Sequence, residues 1–294
     1  MSQQLRDRLF DQLHALVLID PHTHINAHQP ASETLADILG DHYYTELAHS
    51  AGMPRELIEE PGISPKEKVG RLMENLGPID NTIQYSWFIE IAQAFFGFEG
   101  DRLTGDNWEP VYDTAVQKMS QPDWPEAVLR QSQLESVFLT NDFPDPLEGF
   151  DTSVYIPCLR TDDLVFHLSK PGVRQRLESA TGESVGDAAT LRSAIGKLFE
   201  HFTSRGARAC AISLPPDFSP ARIADSEADA AVKAVCSDAL DADANQRAAA
   251  ARFAFWTLAE FCAETKLPFD LMIGVNRSVY PAGVFQGQDL YDSR

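Results

Sequence analysis

Cysteine is scarce in this chain of 294 residues, and its four thiols (Cys158, Cys210, Cys236, Cys262) lie scattered with no Cys-x-x-Cys pair. That spacing supplies neither a cysteine zinc site nor a disulfide frame. It reads instead as reduced core thiols of a cytoplasmic protein. Positive charge is also short: 24 Lys and Arg face 44 Asp and Glu, a formal net charge of −20. Such a field repels nucleic acid and anionic membrane surfaces, so neither is expected as a partner. A few local arginines could still hold a small anion. No run approaches the roughly 18 apolar residues of a membrane span. The opening stretch MSQQLRDRLFDQL is charged and amphipathic, without the apolar centre of a secretory signal.

Hydrophobic residues make up 44% of the chain, enough to build a real core. Leu5, Leu9 and Leu13 recur at helical spacing and predict a first helix over 3–14. Leu16 to Ile19 reads as a short buried strand ending at Asp20-Pro21. From Ser32 to about Arg130 no strand-like alternation occurs, and the segment reads as a helical insertion within one domain over 1–294. After Glu135 the pattern changes. SVFLTND (136–142), TSVYIPCLR (152–160), ARACAISL (207–214) and PFDLMIGVN (268–276) are apolar runs closing on polar residues, with helical stretches between the later ones. Strands alternating with helices predict a parallel α/β sheet or a (β/α) barrel, whose chemistry sits at the carboxyl ends of the strands. Five strands are three short of a closed barrel, so 1–294 is expected to hold only part of one.

The sharpest local feature is LIDPHTHIN (18–26), where His22 and His24 follow directly on a strand. Alternate side chains at a strand end point the same way, so both imidazoles can meet one divalent ion, with zinc the default, at about 2.0–2.1 Å. A bare His-x-His elsewhere in a chain is more often two polar loop residues. The position after a strand is what favours a metal here. His28 is a weaker ligand candidate on the following loop, and His14, His49, His167 and His201 read as solvated or packed.

Several collinear segments resemble the uronate isomerase family of the metal-dependent amidohydrolase superfamily. They are IDPHTHIN, ILGDHYYTELAHSAG, YSWFIEIAQAFFG, NWEPVYDTAVQKM, SVFLTNDFPDPLEGF, YIPCLRTDDL and, more faintly, IGVNRSVY. The resemblance implies a (β/α) barrel with a large helical insertion (32–130), one divalent metal on His22 and His24, and aldose–ketose isomerisation of a hexuronate such as D-glucuronate. By the same match, His42 and Tyr43 stand where the family's catalytic His-Tyr pair would be. Arg160 aligns with an arginine suited to the uronate carboxylate, since its planar fork meets two oxygens. Arg160 could equally form a surface ion pair with Asp162 or Asp163. Asp142 and Arg277, also at strand ends, are further substrate-binding candidates. The expected partner is a small sugar acid, with homo-oligomerisation left open.

The chain also departs from the family pattern. Ala211-Ile212-Ser213 stands where the family carries Ser-Asp-His, Met272 where it carries a histidine, and Ser278-Val279 where it carries asparagines. The metal-binding aspartate of the family's last barrel strand is expected beyond residue 294. The alternatives are therefore a metal-dependent hydrolase or decarboxylase on the same scaffold, or an inactive sugar-acid-binding relative.

Overall fold

The structure, a computed structural model, describes residues 2–237, 242–277 and 289–291, without the side chains of His42, 275–277 and 289–291. In chain order the helices are α1 (Gln3–His14), α2 (Leu35–Leu39), α3 (His42–Ser50), α4 (Glu56–Glu59), α5 (Pro65–Asn75), α6 (Ile83–Phe96), α7 (Glu109–Met119) and α8 (Trp124–Gln131). They continue with α9 (Asp162–Phe166), α10 (Pro171–Thr181), α11 (Ala188–Ser204), α12 (Asp225–Ser237) and α13 (Ala244–Thr265). The strands are β1 (Leu18–Asp20), β2 (Leu134–Phe138), β3 (Asn141–Asp142), β4 (Tyr155–Ile156), β5 (Cys158–Arg160), β6 (Ala209–Leu214) and β7 (Phe269–Ile273), with β8 (Val275–Arg277) and β9 (Asp289–Tyr291) paired in a separate two-stranded sheet.

The chain divides into two compact units. One comprises residues 1–28, 133–275 and 291–294; the other comprises 29–132 and 276–290. In the first, β2 with β3, and β4 with β5, are successive pieces of two strand lanes. The seven segments therefore make five lanes in the order β1, β2/β3, β4/β5, β6, β7, every pairing parallel. Neighbouring lanes follow chain order, joined by crossovers that contain helices except between β3 and β4, where a loop serves. This is the partial (β/α) barrel expected from five strand signals.

Local sequence explains the elements. Asp187 and Thr190 form a capping box at the start of α11, and Asp243 and Gln246 another at the start of α13, satisfying amide groups that the helix cannot. The turn into β6 passes through Gly206 at φ +90°, a conformation that disfavours a side chain. Alternation along β6 then sorts its residues. Cys210, Ile212 and Leu214 pack with Leu159, Phe199, Phe202 and Leu258 in the main core, while Ala209 and Ala211 share the opposite face with Cys158 and Phe138. The outer lanes are less covered: Leu18, Ile19, Leu271 and Ile273 are exposed, as are Leu9, Phe10 and Leu13 of α1. The apolar stripe that predicts α1 is thus real as helix periodicity but faces solvent.

The second unit contains helices over 35–131, packed around Phe88, Leu72, Leu76, Leu39 and Val69. Tyr85 pins a loop to this core, its hydroxyl donating to Leu103 O (2.7 Å) and accepting from Leu103 N (3.0 Å). No helix of the described residues is long and apolar enough to cross a membrane.

Candidate active site

The segment after β1 is held in place before any ligand arrives. Asp20 Oδ1 accepts from His22 N at 3.1 Å, and Thr23 N donates to Phe138 O at 2.9 Å, fastening the His-Thr-His stretch to the end of the second lane. From that lane Thr140 Oγ1 donates to Thr23 O at 3.0 Å and lies 3.0 Å from His24 Nδ1. The two imidazoles stand with centroids 5.1 Å apart and planes nearly perpendicular. On the other side, His22 Nδ1 lies 3.5 Å from Asp270 Oδ2 on β7. His22 Nε2 is buried with no hydrogen-bond partner.

Register brings Arg160 into the same layer. Arg160 on β5 pairs with Ala211 on β6, which pairs with Asp270 on β7, so the arginine and the carboxylate flank a methyl group across three lanes. Arg160 Nε donates to Asp162 Oδ2 at 3.2 Å, and Asp162 Oδ1 accepts from Ser213 N at 3.3 Å. The Asp162 ion pair therefore exists, and it steadies the guanidinium through one nitrogen. Beneath this layer, burial, with the Asp270 charge adding to it, pushes the Cys158 thiol up to about 12. Cys158 therefore stays protonated at neutral pH and is no nucleophile.

The remaining candidates fall elsewhere. Asp142 is in register with Arg160, but its carboxylate is engaged by Arg176 of α10 and by Phe143 N. Those contacts make it an ion pair and a loop cap. Tyr43 is exposed in the first turn of α3, in the second unit, its amide donating to Asp41 Oδ1 at 3.1 Å. The side chains of His42 and Arg277 lie outside the described residues, as do Ser278 and Val279. His28 packs edge-on against Phe150. His49 and His201 are engaged by backbone carbonyls of Met53 and Asp145.

Sequence reasoning missed Asp270. The signal was present: FDLMI (269–273) carries one carboxylate inside an otherwise apolar strand. Phe269 packs against Phe255 on the helix side, so alternation sends Asp270 to the inner face.

The donor set suits a borderline divalent ion as far as it goes. Two neutral imidazoles are the commonest nitrogen ligands, and the buried, unpartnered Nε2 of His22 is an atom in want of one. Among the described residues, no three His, Cys, Asp or Glu side chains form a group arranged to hold an ion. His22 and His24 would thus supply part of a coordination shell.

A family model described as glucuronate isomerase matches residues 1–285. A uronate isomerase of Corynebacterium efficiens is 29% identical over 156 residues, covering 50% of this chain and 33% of the relative. One of Nostoc punctiforme is 26% identical over 234 residues, covering 71% of this chain and 49% of the relative. The chain thus spans between a third and a half of the length of these relatives. Among solved structures, a uronate isomerase of Thermotoga maritima superposes with a TM-score of 0.85 at 21% identity, over 100% of this chain and 68% of that one. A glucuronate isomerase of Caulobacter crescentus gives 0.83 at 18% identity, over 97% and 64%. At these identities the structural likeness speaks for the fold.

Proposed function

The chain belongs to the glucuronate isomerase family, and from that premise we propose that it carries machinery for isomerising a hexuronate, D-glucuronate or a close analogue. The observation that supports the reading is that His22, just after β1, lies 3.5 Å from Asp270 of β7, whose register row also holds Arg160 at the end of β5.

Aldose–ketose isomerisation moves a hydrogen between adjacent carbons through an enediol-like species. It needs a group to take and return a proton and a group to steady developing negative charge on oxygen. Arg160 would hold the uronate carboxylate by its fork, with Asp162 fixing the guanidinium. His42 and Tyr43 are the proposed proton-transfer pair. Asp142 and Arg277 are lesser contacts. His22 and His24 would hold a divalent cation, zinc by default, which when bound polarises sugar oxygens. A further carboxylate from elsewhere would complete that shell. The family match does not favour the hydrolase, decarboxylase or inactive readings. A cytoplasmic location accords with the reduced cysteines and with an intracellular sugar-acid substrate.

The test is direct: incubate the purified chain with zinc and D-glucuronate, and follow the ketose product by NMR. Conversion that disappears in Arg160→Ala supports the reading. No conversion by zinc-loaded protein, and no uronate binding by calorimetry, would overturn it for this chain.

A further inference from the structure

We propose that Asp270 is a positioning residue for His22: a carboxylate from the fifth lane that fixes the tautomer and direction of an imidazole on the first. The proposal rests on reading the histidine pair as ligand-binding, and goes beyond it by assigning a role to a residue that the family resemblance does not supply.

Three observations converge. Asp270 Oδ2 lies 3.5 Å from His22 Nδ1, an ion-pair contact about half an ångström longer than an ordinary N–H···O bond of about 2.9–3.0 Å. The other ring nitrogen, Nε2, is buried and has no partner. The register row holding Asp270 also holds Arg160, with only the Ala211 methyl between them, so the carboxylate stands in the proposed substrate layer and not in the helix-packed core. A carboxylate can only accept, so it selects the tautomer with hydrogen on Nδ1. The lone pair then sits on Nε2, the atom the fold has left without a partner. Carboxylate–imidazole pairs of this kind raise the basicity of a ligand nitrogen and hold its plane.

The experiment uses the full chain labelled with 15N-histidine, metal-free, at about pH 8, where ordinary imidazoles are neutral. Long-range 15N–1H spectra report the tautomer of His22, assigned by its loss in His22→Gln. Wild type is expected as the Nδ1–H form. Asp270→Ala should give a mixture, and Asp270→Asn, which keeps an acceptor oxygen, should restore the Nδ1–H form. Zinc affinity, measured against a chromophoric chelator, should fall about 10- to 100-fold in Asp270→Ala and less in Asp270→Asn. An unchanged tautomer together with unchanged zinc affinity in Asp270→Ala would overturn the proposal. A wild type that shows the expected tautomer and zinc response but no turnover of D-glucuronate would overturn the isomerase reading alone.

Discussion

His24 Nδ1 and Thr140 Oγ1 lie 3.0 Å apart, and the same hydroxyl is 3.0 Å from Thr23 O. A hydroxyl has one proton, so both contacts are hydrogen bonds at once only when the imidazole donates from Nδ1, the tautomer that leaves the lone pair of His24 on Nε2. A threonine from the second lane thus does for His24 what a carboxylate from the fifth would do for His22. The two imidazoles are prepared from opposite sides. Thr140→Val, nearly isosteric but without the hydroxyl, should lower zinc affinity about tenfold while leaving the melting temperature within a few degrees. Equal zinc affinity in Thr140→Val would show that the contact orients nothing.

The double variant His22→Ala/His24→Ala should lose zinc altogether. It should keep the wild-type circular dichroism spectrum, because neither ring is part of the buried apolar clusters that hold the sheet to its helices. Zinc in the wild type should also be released on acidification, since protons compete for ligand nitrogens. Elemental analysis after gel filtration decides the matter. Equal zinc in the wild type and the double variant would leave the histidines as ordinary loop residues.

Much of this arrangement was legible in the sequence, for identifiable reasons. The β-branched and apolar runs that close on polar residues marked all five lanes, because strands favour such residues; burial held for the inner lanes but not for Leu18 and Ile19 of β1, which were expected to be buried and are exposed. His22 and His24 stood out because two imidazoles directly after such a run are unusual. Asp270 escaped because its significance is a matter of register. Nothing local to FDLMI says that its aspartate returns across the sheet to the first lane. Asp142 ends a strand in the expected manner, and nothing local to it says that Arg176, 34 residues later, pairs with its carboxylate. Long-range pairing decides both residues, and periodicity carries no record of it.

Alkaline pH should destabilise the fold. Burial, with the Asp270 charge adding, pushes Cys158 from 9.0 up to about 12, and burial, with Asp41 adding, pushes Tyr44 from 10.0 up to about 12. In the unfolded chain these groups release protons near their ordinary values, while the native state retains them. Their contribution is therefore fully present below about pH 9 and is lost as the pH climbs towards 12. Urea midpoints should fall steadily from pH 8.5 to 10.5, and less steeply in Cys158→Ala. A midpoint that rises over that window, or a slope unaffected by removing the thiol, would contradict the assignment.

Arg160→Lys separates the two roles open to this arginine. Lysine keeps the charge and can still reach Asp162, so a residue that serves only the ion pair with Asp162 should tolerate the change. Lysine cannot present two parallel donors to a carboxylate. If Arg160 grips the uronate, the KM for D-glucuronate should rise about tenfold or more, while weak binding of the corresponding neutral hexose stays as it was. The comparison with the neutral sugar matters because a general loosening of the site would weaken both ligands alike. A KM that does not move for the uronate would assign Arg160 to the rim, and the carboxylate would need another anchor.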